Sequence, residues 1–337
     1  MRAANVAAAF ALVVLLLCFF DAVAIGPDQL GILYRKGDRH SEEVARFYQR
    51  ARHVPERNML AVSIPDIAVM APEDLVSLRQ RALRRLPVTI EALLLVWTRP
   101  YAVACMSSTS AFTFGYDPAF CNTSCGRTAW SPLFDADRIG VNRQTTIRPA
   151  MQMPSDDVVL AENVIRRGVA SDGTRPAGIA YLIVTSDALR NVRAVSYSDA
   201  VGSHRGKMLV RIAREPKTGP VPSVLTYFTG AARVRELAQL KFLAGGVGDS
   251  LTSFGGNLDQ HEQTTVIDWL AAGATASYGT VAEPCNATGK FPSPVIFLKH
   301  YSRGDTLLEA YWKSVAMPGQ GLFVGEPLAA PFRSPSS

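Results

Sequence analysis

The sequence predicts an α/β protein with a mostly parallel sheet that is covered by helices on both faces. Short apolar segments alternate along the chain with longer segments of helical periodicity. One of them, residues 92–97, contains no polar residue, as expected for a strand that is buried on both faces of a parallel sheet. This alternation is typical of sheets whose strands are joined by helical crossovers.

The first series of elements lies before residue 98. Ser41 is placed to cap a helix, because Val44 and Tyr48 then fall on one apolar face. Pro72 is placed in the first turn of the next helix, a position that tolerates proline. The predicted order is strand 30–34, helix 41–53, strand 58–65, helix 72–86 and strand 91–97.

A second series begins at Ser155, which is predicted to cap a helix that ends at Gly168. Between the two series, residues 99–154 lack periodicity, which predicts an irregular, cysteine-bearing insertion. Residues 25–337 show no linker and are expected to form a single domain. The predicted order of the second series is helix 155–168, strand 179–185, helix 186–195, strand 223–230, helix 264–273, strand 274–281 and helices 294–304 and 306–315.

The N-terminus has the features of a secretory signal. Arg2 precedes an apolar stretch over residues 6–20, and the small residues Ala22 and Ala24 mark a cleavage position. The stretch is shorter than the roughly 20 apolar residues of a membrane helix, and no later segment is apolar enough to span a bilayer. A cleaved signal peptide over residues 1–24 and a periplasmic or secreted mature protein are therefore predicted. An uncleaved anchor and lipidation at Cys18 are the alternatives.

The charge pattern does not favour nucleic acid as a partner. The formal net charge is only +6, and the arginine-rich segment 79–86 has the spacing of a solvated helix face. No aromatic residue lies among these arginines, as would be expected in a nucleic-acid binder. The expected partner is therefore an unknown small molecule or protein.

Four cysteines remain after removal of the signal peptide, and an even number favours disulfides in an exported chain. Cys121 and Cys125 are close enough in sequence to close one loop, which would leave Cys105 for Cys285, although three pairings are possible. A zinc site is the alternative, but paired C-x2-C spacing is missing. A catalytic thiol would have to be free and activated, and only Cys285 lies in a suitable loop.

Polar residues that follow the predicted strands form the first group of candidate site residues, because ligands bind beyond the carboxyl ends of parallel strands. Arg99 follows strand 91–97 and carries the charge needed to hold an acidic group. Asp187 and Arg190 follow strand 179–185 and are candidate ligand-binding residues. Their spacing of one helical turn also suits a local ion pair.

The glycine-rich stretch 245–256 supplies the second group. Glycine lets a ligand approach the backbone closely, so Gly255 and Gly256 are candidate ligand-binding residues. Asp249, Ser250 and Ser253 are candidate catalytic residues. The residues of this stretch do not match the sequence motif of a Walker loop, of a dinucleotide-binding fingerprint or of a G-x-S-x-G nucleophile elbow. No cofactor is therefore predicted. A tight turn whose hydroxyls bond to their own backbone is the structural alternative.

Two further side chains complete the candidate site. Glu283 follows strand 274–281 and is a candidate general base or ligand carboxylate, with capping of a backbone amide as the alternative. His261 lies close to the glycine-rich stretch and is a candidate proton carrier. The histidines show no metal-ligand spacing, so no metal is predicted.

Several segments of the chain resemble an uncharacterised family of exported bacterial proteins, and the C-terminal segments are the most specific. The C-terminal pattern is also distantly similar to gingipain-type cysteine peptidases, with a T-L-x-E-A core at residues 306–310 and a G-[DE]-P-L turn at 325–328. This second resemblance implies a caspase-like α/β fold. The segments that carry the first resemblance are 106–121, 170–187, 249–256, 277–285, 290–315 and 319–332.

The peptidase resemblance does not extend to the catalytic residues. Gingipain-type peptidases place a histidine after one strand and a cysteine after the next, and the matching strand exits here, residues 227–230 and 248–251, contain neither residue. A cysteine peptidase needs both side chains. The leading hypothesis is therefore an exported protein that binds a ligand or partner on a peptidase-like scaffold.

Two alternatives remain open. The first is a hydrolase that uses Ser250 or Ser253 with help from Asp249, His261 or Glu283. The second is a structural component of the cell envelope, which would be expected to expose an apolar patch.

Overall fold

The computed structural model describes residues 24–122, 125–139, 146–204, 206, 208–215, 219–235 and 237–334, so the predicted signal peptide lies outside it except for Ala24. Two sheets are present in this part of the chain, with strand orders β2-β1-β4-β7-β13-β12-β11-β10-β8-β9 and β3-β5-β6. The strands are β1 (Leu30–Arg35), β2 (Met59–Val62), β3 (Val69–Met70), β4 (Ala92–Val96), β5 (Ala102–Val103), β6 (Met106–Ser107), β7 (Ala150–Met153), β8 (Ile179–Val184), β9 (Leu209–Arg214), β10 (Val221–Thr229), β11 (Leu240–Ser250), β12 (Ala276–Thr280) and β13 (Gly321–Gly325).

Parallel pairing links β2, β1, β4 and β7 in one group and β12, β11, β10, β8 and β9 in another. Between the two groups lies β13, which is antiparallel to β12. The helices are α1 (Arg39–Arg52), α2 (Pro72–Arg85), α3 (Ser108–Phe114), α4 (Val158–Ser171), α5 (Tyr197–Ser203), α6 (Val266–Ala271), α7 (Pro294–Arg303) and α8 (Leu307–Ser314). The predicted α/β class and mostly parallel sheet are confirmed.

The apolar core forms on both faces of the large sheet. Tyr48 of α1 and Phe297 of α7 belong to the largest buried cluster, and Leu75 of α2 belongs to a second cluster. A third cluster surrounds Trp269 of α6. The fully apolar β4 is buried along its whole length, as its composition predicted.

Both predicted serine caps are wrong by a few residues. The cap of α1 is Asp38, whose carboxylate accepts a hydrogen bond from the Ser41 backbone N–H at 3.1 Å. The Ser41 hydroxyl donates instead to the carbonyl of Val96, which joins α1 to β4. The cap of α4 is Asp157 rather than Ser155. Aspartate and serine are comparable caps, so local sequence does not separate neighbouring candidates.

The predicted helix end at Gly168 is also wrong, because α4 continues to Ser171. A side chain at position 168 would overlap with that of Glu326. Glycine is therefore needed there for close packing and not for helix termination.

The predicted insertion 99–154 is more regular than expected. It contains β5, β6 and α3, and it ends with β7, which lies between β4 and β13 in the large sheet. β7 reads Ala-Met-Gln-Met, without β-branched residues, so its sequence gives little strand signal. Its buried Gln152 is satisfied by the Ser108 hydroxyl and the Thr98 carbonyl.

The glycine-rich stretch differs from the predicted loop, because Gly245–Ser250 form the second half of β11. At Gly248, a Cβ atom would overlap with the indole ring of Trp269. At least this glycine is therefore required by packing between the sheet and α6. The loop that follows β11 begins at Leu251.

The cysteines form two disulfides, in agreement with the expected oxidising compartment, but the favoured pairing is wrong. Cys105 is bonded to Cys121, and Cys125 is bonded to Cys285. The second bond joins the insertion to the segment after β12, across 160 positions of the sequence. The short separation in sequence favoured a bond between Cys121 and Cys125. The fold instead places Cys121 beside Cys105 and Cys125 beside Cys285, with Cα–Cα distances of 5.6 and 5.2 Å. No helix in the described ranges has the length and apolarity needed to cross a membrane.

Candidate functional site

The loops that follow β4 and β11 meet at one side of the molecule. The guanidinium group of Arg99 binds the carboxylate of Asp259, with Nε 2.9 Å from Oδ1. The Tyr101 hydroxyl lies 2.8 Å from Asn257 Oδ1 and 3.1 Å from Asp259 Oδ2. These contacts bring the exits of β4 and β11 together at one edge of the sheet, which we call the carboxyl edge.

Arg99 forms an ion pair with Asp259 of the same chain. Its positive charge, which the sequence suggested for binding an acidic ligand, is therefore already paired. The hydrogen bond from Arg99 lowers the pKa of Asp259. Burial, followed by the negative charge of Asp259, raises the pKa of Tyr101 to about 12. At neutral pH the tyrosine is therefore neutral and the aspartate is ionised, so the cluster holds two loops together.

The turn after β11 packs against the end of β12. The Thr280 hydroxyl contacts the carbonyls of Thr252 and Ser253 at 3.1 and 2.8 Å. The Gly256 N–H donates to the Thr280 carbonyl at 2.9 Å, and a Cβ atom at Gly256 would overlap with the backbone of Gly279. Protein backbone thus occupies the space beside Gly256 that the sequence suggested for a ligand.

Glu283 lies on the same edge, because it follows β12 by three positions. Its side chain is exposed, and Oε1 accepts a hydrogen bond from the Cys285 N–H at 2.7 Å. Glu283 therefore caps a backbone amide, which was the structural alternative to a role as general base. Next to it, Gly255 approaches Gly279 in the neighbouring strand.

Asp249 forms a buried ion pair with Arg193, a residue that sequence reasoning missed. Nη1 of Arg193 lies 2.6 Å from Oδ1 of Asp249, and Nη2 donates to the Thr229 carbonyl at 2.9 Å. No motif or periodicity marks Arg193, because the contact depends on a crossover that returns to the sheet. Oδ1 of Asp249 is therefore bound to Arg193, and Oδ2 bonds to no serine among the described residues.

Neither candidate serine has the neighbours of an activated nucleophile. The Ser250 hydroxyl is buried and has no hydrogen-bond partner among the described residues. The Ser253 hydroxyl bonds to no imidazole or carboxylate in the same set. Thr229 and Ser250 are directly paired at the ends of β10 and β11, so two hydroxyl side chains are adjacent there. A hydroxyl needs a base within reach before it can attack a carbonyl group.

Asp187 and Arg190 form the local ion pair that their spacing suggested, with 2.7 Å between Oδ2 and Nη1. Hydrogen bonds from Arg190 outweigh burial and lower the pKa of Asp187. Asp187 also lines a cleft of 640 Å³ at the carboxyl ends of β8, β9 and β10. A cleft is therefore present at the strand exits, and it lies at the ends of β8, β9 and β10.

A second cleft, of 440 Å³, adjoins the first and is lined by His261. Both clefts include Arg233 and Arg235, from the segment after β10. We refer to the two together as the arginine cleft. Its principal polar lining residues are Thr185, Ser186, Asp187, Arg214, Glu215, Arg233, Arg235, His261, Gln263, Thr264 and Asp268.

The lining of the arginine cleft contains three arginines, Arg214, Arg233 and Arg235, and three acidic residues, Asp187, Glu215 and Asp268, of which Asp187 is neutralised by Arg190. Arg214 and Arg235 form no ion pair or hydrogen bond through their side chains with any described residue. Arg233 donates only to backbone carbonyls, those of His261 and Glu262. Asp268 is occupied by the capping box of α6, where its Oδ2 accepts from the Thr265 N–H at 2.8 Å.

No cluster of three or more histidine, cysteine, aspartate or glutamate side chains suited to a metal ion occurs in the described ranges. Sequence reasoning identified Asp187 and His261 at the arginine cleft but missed its arginines. Arg233 and Arg235 occupy alternate positions just after a predicted strand, which is the signal that could have revealed them.

No protein-family model matches the chain, and no curated protein matches it in sequence. Among solved structures, one described as "Structure of Protease" is similar, with 11% sequence identity and a TM-score of 0.45. The alignment covers 91% of this chain and 79% of that chain. The function proposed below is therefore built on the geometry of this chain's own residues.

Proposed function

We propose that this protein is an exported binding protein that holds a carboxylate-rich ligand, such as an acidic peptide segment, in the arginine cleft. The observation that carries the proposal is the presence of Arg214 and Arg235, whose charges have no counter-ion among the described residues. Arginine binds carboxylates through two parallel N–H donors, which adds both strength and orientation. Of the nearby acidic side chains, Asp187 is already neutralised by Arg190.

The position of the arginine cleft supports this function. Residues from β8, β9, β10 and the loop after β11 all contribute to it, and ligands of parallel sheets bind at such strand exits. Arg233 joins the segment after β10 to the loop after β11 through the carbonyls of His261 and Glu262. The cleft walls are thus held in place before a ligand arrives, which reduces the entropy lost on binding.

Binding without peptide hydrolysis is favoured over the hydrolase alternative. Ser250 is buried, and Asp249 is bound to Arg193. No imidazole or carboxylate in the described ranges lies within hydrogen-bond reach of Ser253. A substrate at the carboxyl edge would therefore meet positive charge but no activated nucleophile.

The test is fluorescence anisotropy with rhodamine-labelled hexaglutamate, hexaglutamine and hexalysine peptides. We expect only hexaglutamate to bind, and its affinity to fall as salt is raised, because exposed charges are screened. Arg235→Glu should weaken binding at least tenfold. The matched control is Arg50→Glu, an exposed arginine on α1 outside the cleft.

Equal binding of hexaglutamate and hexaglutamine, or equal loss with Arg235→Glu and Arg50→Glu, would refute the proposal. Mass spectrometry of the peptide after incubation addresses the alternative function. Recovery of the intact peptide is expected, whereas cleavage that is abolished by Ser253→Ala would establish a hydrolase.

A further inference from the structure

A large cleft lies at the opposite edge of the sheet from the arginine cleft. Its volume is 1010 Å³, at the upper end of the roughly 300–1,000 Å³ typical of small-molecule sites. It is bounded by the first residues of β8 and β9, by β10 and by the last turn of α7. We call it the amino-edge cleft, since β8 and β9 begin there.

The charged side chains that line the amino-edge cleft are all basic. They are Arg175, Lys299 and Arg303, and no aspartate or glutamate occurs in the lining. Arg303 has no side-chain ion pair or hydrogen bond within the part of the chain that the structure describes. Lys299 contacts Asp135 at 2.7 Å, so its charge is partly compensated. The cleft therefore presents a net positive charge.

Arg175, which lines this cleft, has an unusual backbone conformation. Its φ is +46°, in the left-handed region that favours glycine. Its N–H donates to the Pro331 carbonyl at 2.9 Å, and its guanidinium group donates to Ser334 at 3.0 Å. Such strain is found at sites where a particular side-chain position is required. The C-terminal segment thus fixes a basic side chain in the lining of the cleft.

Part of the wall of the cleft is apolar, beside the basic and hydroxyl side chains. Ile179, Leu225, Val295 and Phe332 contribute to its wall, and Leu225 is only 1% exposed. On the side of β9, Leu209 is 54% exposed although its side chain is large and apolar. Exposed apolar surface next to basic groups suits a ligand with an apolar body and an acidic end.

We propose that the amino-edge cleft binds a single-chain amphiphile with a carboxylate head, such as a medium-chain fatty acid. The apolar chain would lie against Leu209 and Leu225, and the carboxylate would be held by Arg303 with help from Arg175. Charge complementarity selects the acidic head, and the apolar wall selects the chain. This site is separate from the arginine cleft, so it neither requires the proposed function nor fails with it.

Isothermal titration calorimetry with octanoate, decanoate and dodecanoate, each below its micelle concentration, tests the proposal. Each pair of added methylenes should strengthen binding by up to about fifteenfold, which corresponds to ~0.8 kcal/mol per buried methylene. Decan-1-ol and decyltrimethylammonium have the same chain without the carboxylate. Decan-1-ol should bind at least tenfold more weakly than decanoate, and the cation should not bind.

Two variants locate the site. Arg303→Gln removes the uncompensated charge, and Leu209→Asp places a repulsive charge on the exposed apolar wall. Each should weaken decanoate binding at least tenfold, with Arg50→Gln on α1 as the matched control. Should Leu209→Asp fail to fold by circular dichroism, Ser302→Asp at the rim provides a second acidic substitution.

Three results would overturn the proposal. The first is the absence of decanoate binding at millimolar concentration, and the second is equal binding of decanoate and decan-1-ol. The third is decanoate binding that all of the cleft variants leave unchanged, which would place the fatty acid elsewhere on the surface. Hexaglutamate binding to the arginine cleft should be the same in the Arg303→Gln variant and the unmodified protein.

Discussion

The guanidinium group of Arg193 and the carboxylate of Asp249 lie 2.6 Å apart in the core, with only 3% and 0% of their side chains exposed. Arg193 reaches the end of β11 from the crossover between β8 and α5, and it also donates to the Thr229 carbonyl at the end of β10. The pair therefore ties a crossover to the ends of two neighbouring strands, β10 and β11.

Breaking this pair on one side should strongly destabilise the protein. Asp249→Asn leaves a buried guanidinium group without a counter-ion, and Arg193→Met leaves a buried carboxylate. Each is expected to lower the free energy of unfolding by about 3–5 kcal/mol. The double variant should lose clearly less than the sum of the two, which urea denaturation measures. Additive losses would show that the two charges do not depend on each other.

The two disulfides should contribute unequally to stability. Cys125–Cys285 closes a loop of 160 positions, whereas Cys105–Cys121 closes one of 16. Loop-closure entropy predicts a loss of about 5 kcal/mol on removing the first and about 3 kcal/mol on removing the second. Thermal unfolding of the two double-alanine variants provides the comparison. Mapping of non-reduced peptides by mass spectrometry checks the pairing, and a Cys121–Cys125 peptide would contradict it.

Stability should decrease in acid partly through Asp305. Burial alone would raise the pKa of this carboxyl, but hydrogen bonds from His300 and Lys313 outweigh burial and lower it. A folded pKa below the unfolded value of about 3.9 means that the stabilisation is complete above that pH. It is then lost as the pH falls through the folded pKa.

The variant Asp305→Asn isolates this contribution. It should lower the free energy of unfolding at pH 7 by about 1–3 kcal/mol, because it removes charge-assisted hydrogen bonds. The difference from the unmodified protein should shrink between pH 4 and pH 2.5 in urea denaturation. Asp28→Asn, at a side chain that is 82% exposed, is the control and should leave the pH dependence unchanged. A constant difference at all pH values would contradict the assignment.

The buried hydroxyl of Ser250 should be dispensable. Since it has no hydrogen-bond partner among the described residues, Ser250→Ala should raise the free energy of unfolding by about 1 kcal/mol. Ser277→Ala is the matched control, because that equally buried hydroxyl donates to the Gly248 carbonyl at 2.7 Å. The control should lose about 1 kcal/mol. Fluorophosphonate probes should label neither Ser250 nor Ser253, and labelling that Ser253→Ala removes would point to an active hydrolase.

Local sequence was sufficient for elements whose own residues decide their structure. The apolar run of β4 and the Pro72 start of α2 are both found where the sequence predicts them. The strand exits could also be located from the sequence, because they follow from the order of elements. Asp187 and His261 were found in this way, and both line the arginine cleft.

The sequence by itself determined the α/β class, the number of cysteines available for disulfides and the polar residues that follow the strands, because these follow from local periodicity and composition. Only the tertiary structure decided that Arg193 neutralises Asp249, that Cys125 bonds to Cys285 and that Gly248 makes room for Trp269. Each of these pairs joins residues that are far apart in sequence or lie on different elements. Their contact energies depend on distances of a few ångströms, which only the packed crossovers define.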